Sequence, residues 1–182
     1  MSERSGTAEE LKTARLWLRR PVEADIDVIL AVHSDPEACA HNPSDALTRP
    51  EEAEELFRRW DRQWEQHGYG YWVVRRQDST ERVGFCGVKP MELHGERVLN
   101  LFYRFAPAAW GQGFAGEAAT AVTIWASRYV PELPLIARVR PENIASQRVA
   151  VRAGLHRARH LDTEGYDGFD WIYVARPERW AP

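Results

Sequence analysis

Apolar and polar residues alternate over residues 14–20. Leu16 and Leu18 face one way and Arg15, Trp17 and Arg19 the other, which is the two-residue period of a half-buried strand. The period then lengthens. Pro21 suits the first turn of a helix whose apolar stripe is Ala24, Val28, Ile29 and Val32, with Glu23 and Asp25 near its positive end. A Pro/Asp/Asn-containing loop over 34–49, either a plain loop or one with a short helix, separates it from a second helix. There Thr48 and Glu51 have capping-box spacing and Pro50 falls in the first turn. Ala53, Leu56, Phe57, Trp60 and Trp64 recur at three and four residues until Gly68 and Gly70 stop the pattern. Strand patterns follow at 69–76, 82–89 and 98–105, separated by turn-like 77–81 and 94–96. A third helical stripe, Phe114, Ala118, Ala121, Val122 and Trp125, ends near Tyr129. A strand over 133–140 leads to a short helix that Asn143 can cap and Gly154 ends. Two final strands, 155–161 and 169–175, flank an Asp/Gly-rich turn. Residues 1–13 are polar and read as a flexible leader to one domain over 14–182, with strands and helices interspersed in an α/β or α+β arrangement.

The third helix is preceded by Trp110-Gly111-Gln112-Gly113-Phe114-Ala115-Gly116-Glu117-Ala118. A glycine-rich loop that opens a helix turns free backbone N–H groups toward one point, where the helix dipole adds partial positive charge. That suits a phosphate, and a pyrophosphate better. The loop lacks the Lys-Ser/Thr ending of a P-loop and the G-x-G-x-x-G order of a dinucleotide fold, and it follows several strands rather than the first.

Composition narrows the field. With 182 residues, 44% hydrophobic, the chain can bury a substantial core. A net charge of −3 argues against nucleic acid as a main partner. Cys39 and Cys86 have no metal-ligand spacing and read as buried thiols of a cytoplasmic protein, and the histidines show no ligand spacing either, so no metal is expected. No apolar h-region opens the chain, and no uncharged run approaches the roughly 18 residues of a membrane span. Exposed strand edges permit a homodimer.

The glycine loop resembles the acetyl-CoA loop of the GCN5-related N-acetyltransferases (GNAT). The pattern Trp-Gly-x-Gly-Phe/Tyr-Ala-x-Glu-Ala is similar to their RimJ/RimL-like branch, although Trp110 departs from the strict Arg/Gln-x-x-Gly-x-Gly/Ala motif. Further along, "NIASQRVAVRAGL" resembles the family's second cofactor motif, Asn-x-x-Ser-x-Arg followed by a glycine, while "LRRPVEADID", "VGFCGV" and "DGFDWIYVARPERW" look like its first, third and closing strands. The resemblance implies a mixed, mostly antiparallel twisted sheet of about six to seven strands and about four helices, with a splay between the fourth and fifth strands. It implies acetyl-CoA as co-substrate and an amine acceptor, either a peptide N-terminus or a small molecule. Pantetheine would pair with backbone at Tyr103 and Phe105, the pyrophosphate would meet N–H groups of Gln112, Gly113, Phe114 and Ala115, and Gly111 would belong to the same cofactor-binding loop. Trp110 would pack under the loop, in the core or against adenosine. Asn143 would cap its helix or bond pantetheine, Ser146 would lie near the thioester sulfur, and Arg148 and Arg152 would reach a CoA phosphate or remain solvated.

Acetylation needs a neutral amine, a donor for the oxyanion and a proton for the leaving thiolate. Relatives place a Glu where this chain has Asn100 and a Tyr where it has Ala150, so both familiar roles are vacant and the catalytic groups stay unassigned. Ser146, Asn100 and Tyr103 are the candidates, with Glu117, His41, Tyr166 and Asp167 as more remote ones. Glu117 reads first as a brace for the third helix. A CoA-binding sensor that has lost catalysis is the alternative reading.

Overall fold

A computed structural model describes residues 9–180. Among them are four α-helices, α1 (Ile26–Ser34), α2 (Pro50–His67), α3 (Phe114–Tyr129) and α4 (Ile144–Arg152). The strands are β1 (Glu10–Lys12), β2 (Leu16–Arg19), β3 (Tyr71–Arg76), β4 (Arg82–Leu93), β5 (Glu96–Phe105), β6 (Leu135–Val139), β7 (His156–Arg157), β8 (Thr163–Gly165) and β9 (Gly168–Val174). They form one sheet in the order β1-β2-β3-β4-β5-β6-β9-β7, with β8 paired to β9. Every pairing is antiparallel except β5 with β6.

The sheet alternates as the sequence pattern requires, and both faces are covered. Trp72, Leu99, Leu101 and Phe105 pack on α3 through Phe114, Val122 and Trp125. On the opposite face Val73, Phe85 and Phe102 meet Ile29, Val32 and Trp60 of α1 and α2. Burying such large side chains supplies most of the stabilisation, at roughly 1.5–3 kcal/mol each.

Four expectations are corrected. The nine strands exceed the six or seven expected, because β1, β7 and β8 span only two or three residues, too short to show a period. Residues 10–12 of the expected leader form β1, where Leu11 pairs with Leu18, and residues 1–8 lie outside those described. The strand expected over 155–161 narrows to His156–Arg157 before a 3-10 turn at Arg159–Leu161. The box at α2 is shifted by one residue. Pro50 forces Arg49 to be extended (φ −136°, ψ 148°), so Arg49 becomes the N-cap and Glu52, not Glu51, accepts from the N–H groups of Thr48 (2.7 Å) and Arg49 (3.0 Å).

Before α1 the pattern also inverts. Ala24 is exposed while Asp25 is fully buried. Its carboxylate accepts from Arg19 (2.7 and 2.9 Å), Arg82 (3.1 Å) and the Val22 N–H (2.8 Å), so it ties β2 and β4 to the start of α1.

Candidate active site

The site begins where two strands part. β5 pairs with β4 along its whole length, from Leu93↔Glu96 to Gly84↔Phe105. It pairs with β6 only at Leu99↔Leu135 and Asn100↔Ile136. Beyond Asn100 the β6-facing edge of β5 has no strand partner, the splay expected between the fourth and fifth long strands. A cleft of about 1510 Å³ opens there, and it continues on both sides of the sheet's opening.

One end of the cleft is the glycine loop. Gly111 (φ +75°) and Gly113 (φ +79°) take left-handed conformations, and Gly113 is the N-cap of α3. A Cβ on Gly111 would touch nothing within 4 Å, so it is the backbone conformation and not crowding that favours glycine there. Gly116 differs, since its Cβ would lie 2.7 Å from the Arg152 Cδ. Arg15 holds the loop from β1–β2. Its Nη1 donates to the Gln112 carbonyl (2.9 Å) and its Nε to Glu117 (2.7 Å), while Glu117 also accepts from the Arg15 N–H (2.9 Å). Glu117 is thus a brace, as its position in the first turn of α3 suggested. Trp110 is no core residue. Its indole N–H donates to the Phe105 carbonyl (2.9 Å), which closes the turn after β5 and leaves the residue 48% exposed.

Across the gap stands α4. Asn143 caps it by accepting the Ser146 N–H (2.9 Å). The Tyr103 hydroxyl reaches over from β5, donating to the Ser146 carbonyl (2.8 Å) and accepting from the Ser146 Oγ (2.9 Å). Burial pushes the Tyr103 phenol well above its usual range, outweighing the Ser146 bond that lowers it, so the group stays protonated. Ala150 is fully buried against the same core. The Asn100 Oδ1 is buried without a partner among the described residues.

The other end is lined by the α1–α2 segment, β5 and the β8–β9 hairpin. Ser44 donates its N–H (3.0 Å) and hydroxyl (2.6 Å) to Asp167, and the next residue, Asp45, accepts from Arg104 (2.9 Å). Arg104 is buried, and its Nη1 has no partner among the described residues. His33 lies among Trp60, Phe85 and Phe102, with Nδ1 3.0 Å from the Ile29 carbonyl. Burial, reinforced by the Arg104 charge, pulls its pKa down to about 4, so the ring is neutral at physiological pH. Cys39 and Cys86 are free and buried, and burial raises both thiols.

Asn100, Tyr103, Phe105, Trp110, Gly111, Gly113, Phe114, Ala115, Asn143 and Ser146 therefore line one cleft, joined by Arg148 and Arg152. Gln112 does not line it; its side chain turns to the Ala108 carbonyl (3.2 Å). His41, Tyr166 and Asp167 border the opposite end. Sequence reading missed Arg15, Arg104 and His33, since strand or helix periodicity accounts for each of them and carries no sign of the loop or cleft they meet.

Together the open strand edge, the glycine loop and the two-ended cleft define an acetyltransferase domain. A family model described as acetyltransferase (GNAT) domain matches residues 15–156, and the chain belongs to that family. It is 31% identical over 95 residues to the uncharacterized protein YkkB of Bacillus subtilis (strain 168), covering 52% of this chain and 55% of YkkB, about half its length. Among solved structures it resembles an acetyltransferase from Agrobacterium tumefaciens str. C58, with TM-score 0.77, 24% identity and 92% and 94% of the two chains covered. RimL, a ribosomal L7/L12 alpha-N-protein acetyltransferase in complex with coenzyme A, shares the fold at TM-score 0.71 and 19% identity, over 91% and 97% of the chains. Among the described residues no helix is long and apolar enough to cross a membrane.

Proposed function

We propose that this chain transfers the acetyl group of acetyl-CoA to a primary amine, either a peptide N-terminus or a small molecule, by direct attack in a ternary complex. The observation that carries this reading is the single cleft, which joins the glycine loop to the polar acceptor end through the point where β5 and β6 part. The pyrophosphate meets the N–H groups at the start of α3, between the guanidinium groups of Arg15 and Arg152 that border Gly113. The pantetheine amides pair with the open edge of β5, as an added strand would.

The amine approaches from the other end and attacks the thioester carbonyl carbon with its lone pair. The C–S bond breaks, the thiolate takes a proton, and the amine's surplus proton leaves through water. The Asn100 carbonyl oxygen accepts an N–H of the incoming amine and orients it, a positioning role that asparagine fills without acting as a base. Tyr103, held neutral and fixed by Ser146, keeps its proton and donates a hydrogen bond to the departing thiolate, which takes up the amine's proton relayed through water. Both cysteines are buried and raised away from thiolate, which supports direct transfer over a covalent enzyme intermediate. The test is release of free CoA thiol across a panel of amines. Turnover with at least one amine, lost in Gly113→Asp, is expected. A folded protein that calorimetry finds indifferent to acetyl-CoA overturns the reading.

A further inference from the structure

The cleft has a side recess that shares no residue with the glycine loop. It holds about 270 Å³ between α2 and β4, and Arg59, Gln63 and Lys89 line both it and the main cleft. Arg59, Arg62 and Lys89 bring three cations to the recess, and no carboxylate lines it. None of the three has an ion pair or hydrogen bond among the described residues, whereas Arg19, Arg82 and Arg104 elsewhere in the fold each hold an aspartate. Desolvation of its ammonium lowers the Lys89 pKa, with Asp45 opposing and Arg138 and Arg59 adding to the effect, although the residue as a whole keeps an exposed surface.

Register places this charge beside the chemistry. Lys89 is the cross-strand partner of Asn100, the last residue of β5 to pair with β6. Directly opposed residues of an antiparallel pair have Cβ atoms about 5 Å apart. The carboxylates that line the acceptor end are mostly engaged already: Asp45 by Arg104, Asp167 by Ser44, and Asp170 by Arg138 and Arg140. Among the described residues only Glu37, on the exposed α1–α2 segment, lines the cleft without such a partner.

We propose that the acceptor is a primary amine that also carries a carboxylate, and that Arg59, Arg62 and Lys89 receive this carboxylate while the amine meets Asn100. The inference rests on the transferase reading above and names its substrate class. A polyamine finds repulsion in the recess and few free anions elsewhere. The same cations favour the neutral form of a bound amine, which is the form that attacks. Two sources present this chemistry, an acidic peptide N-terminus and a free amino acid.

The test measures initial rates of acetyl transfer by the full chain. The acceptors are the peptide amides Ser-Glu-Glu-Ala and Ser-Gln-Gln-Ala, free glutamate and spermidine. A kcat/KM at least about tenfold higher for the acidic member of the peptide pair is expected, roughly one charge-assisted contact. Preference for glutamate over both peptides assigns the carboxylate to a free amino acid instead. In Arg62→Gln/Lys89→Gln the preference shrinks through KM while acetyl-CoA affinity is unchanged. Preference for spermidine or for the Gln peptide, or a preference the double variant leaves intact, overturns the proposal and spares the transferase reading. If no amine is acetylated, the transferase reading fails, and calorimetry of the acidic peptide with the acetyl-CoA complex decides the recess. Binding lost in the double variant upholds it as a carboxylate site, and no binding removes it.

Discussion

The Tyr103 hydroxyl and Ser146 are bonded twice across the gap between β5 and α4, at 2.8 and 2.9 Å. The pair ties together the two elements that must stay apart for a thioester to enter. It also holds a protonated hydroxyl beside the inferred leaving group. Tyr103→Phe keeps the ring and removes that donor. In steady-state kinetics kcat falls by about tenfold or more with acetyl-CoA affinity nearly unchanged. An unchanged kcat removes Tyr103 from the chemistry.

Gly113→Asp probes the loop. Asparagine and aspartate tolerate the left-handed region better than most residues, so the fold is retained. The new carboxylate would point toward Arg15 Nη2 and Arg152 Nη1, 3.5 and 3.8 Å from the position of a Cβ, and would occupy the charge meant for the pyrophosphate. Calorimetry should show acetyl-CoA affinity down by about a hundredfold, with an unaltered circular dichroism spectrum.

Arg15 acts on the same loop from the distant β1–β2 turn. Arg15→Gln loses the bonds to Gln112 and Glu117 and raises the acetyl-CoA KM by about tenfold. An unchanged KM would mean that the loop holds its shape without this strut.

Asp25 sets the acid limit of the fold. Burial alone raises its pKa, but the bonds from Arg19, the Val22 N–H and Arg82 together outweigh this and leave it lowered. Its folded pKa lies below its unfolded one, so the stabilisation is present above about pH 4 and is lost as pH falls through the folded value. Asp25→Asn costs about 3 kcal/mol at pH 7, measured by urea denaturation, and flattens the acid limb of the stability curve.

His33 shapes the curve at milder pH. The folded ring titrates at about 4 against 6.5 when unperturbed, so the unfolded chain binds the extra proton between these values. Stability is full above 6.5, declines as pH falls, and levels off below about 4. His33→Phe, with no titrating ring in the same aromatic setting, should lose that slope in thermal melts across the window.

Local order was legible in the chain. The two-residue and 3.6-residue periods of Leu16–Leu18 and of Phe114, Ala118, Val122 and Trp125 specify strand and helix because side-chain direction depends only on the immediate backbone. Gly111 and Gly113 marked the loop because few other residues adopt its positive φ. The Asn143 cap was visible for the same short-range reason. Tertiary structure alone decided the rest. Asp25 is a buried hub only because β2 and β4 bring Arg19 and Arg82 to it. Tyr103 meets Ser146, Arg15 meets Gln112, and Lys89 stands opposite Asn100 through strand order and register. Such meetings between distant residues leave no periodic trace, because they depend on how β5 and β6 diverge and not on the conformation of either strand.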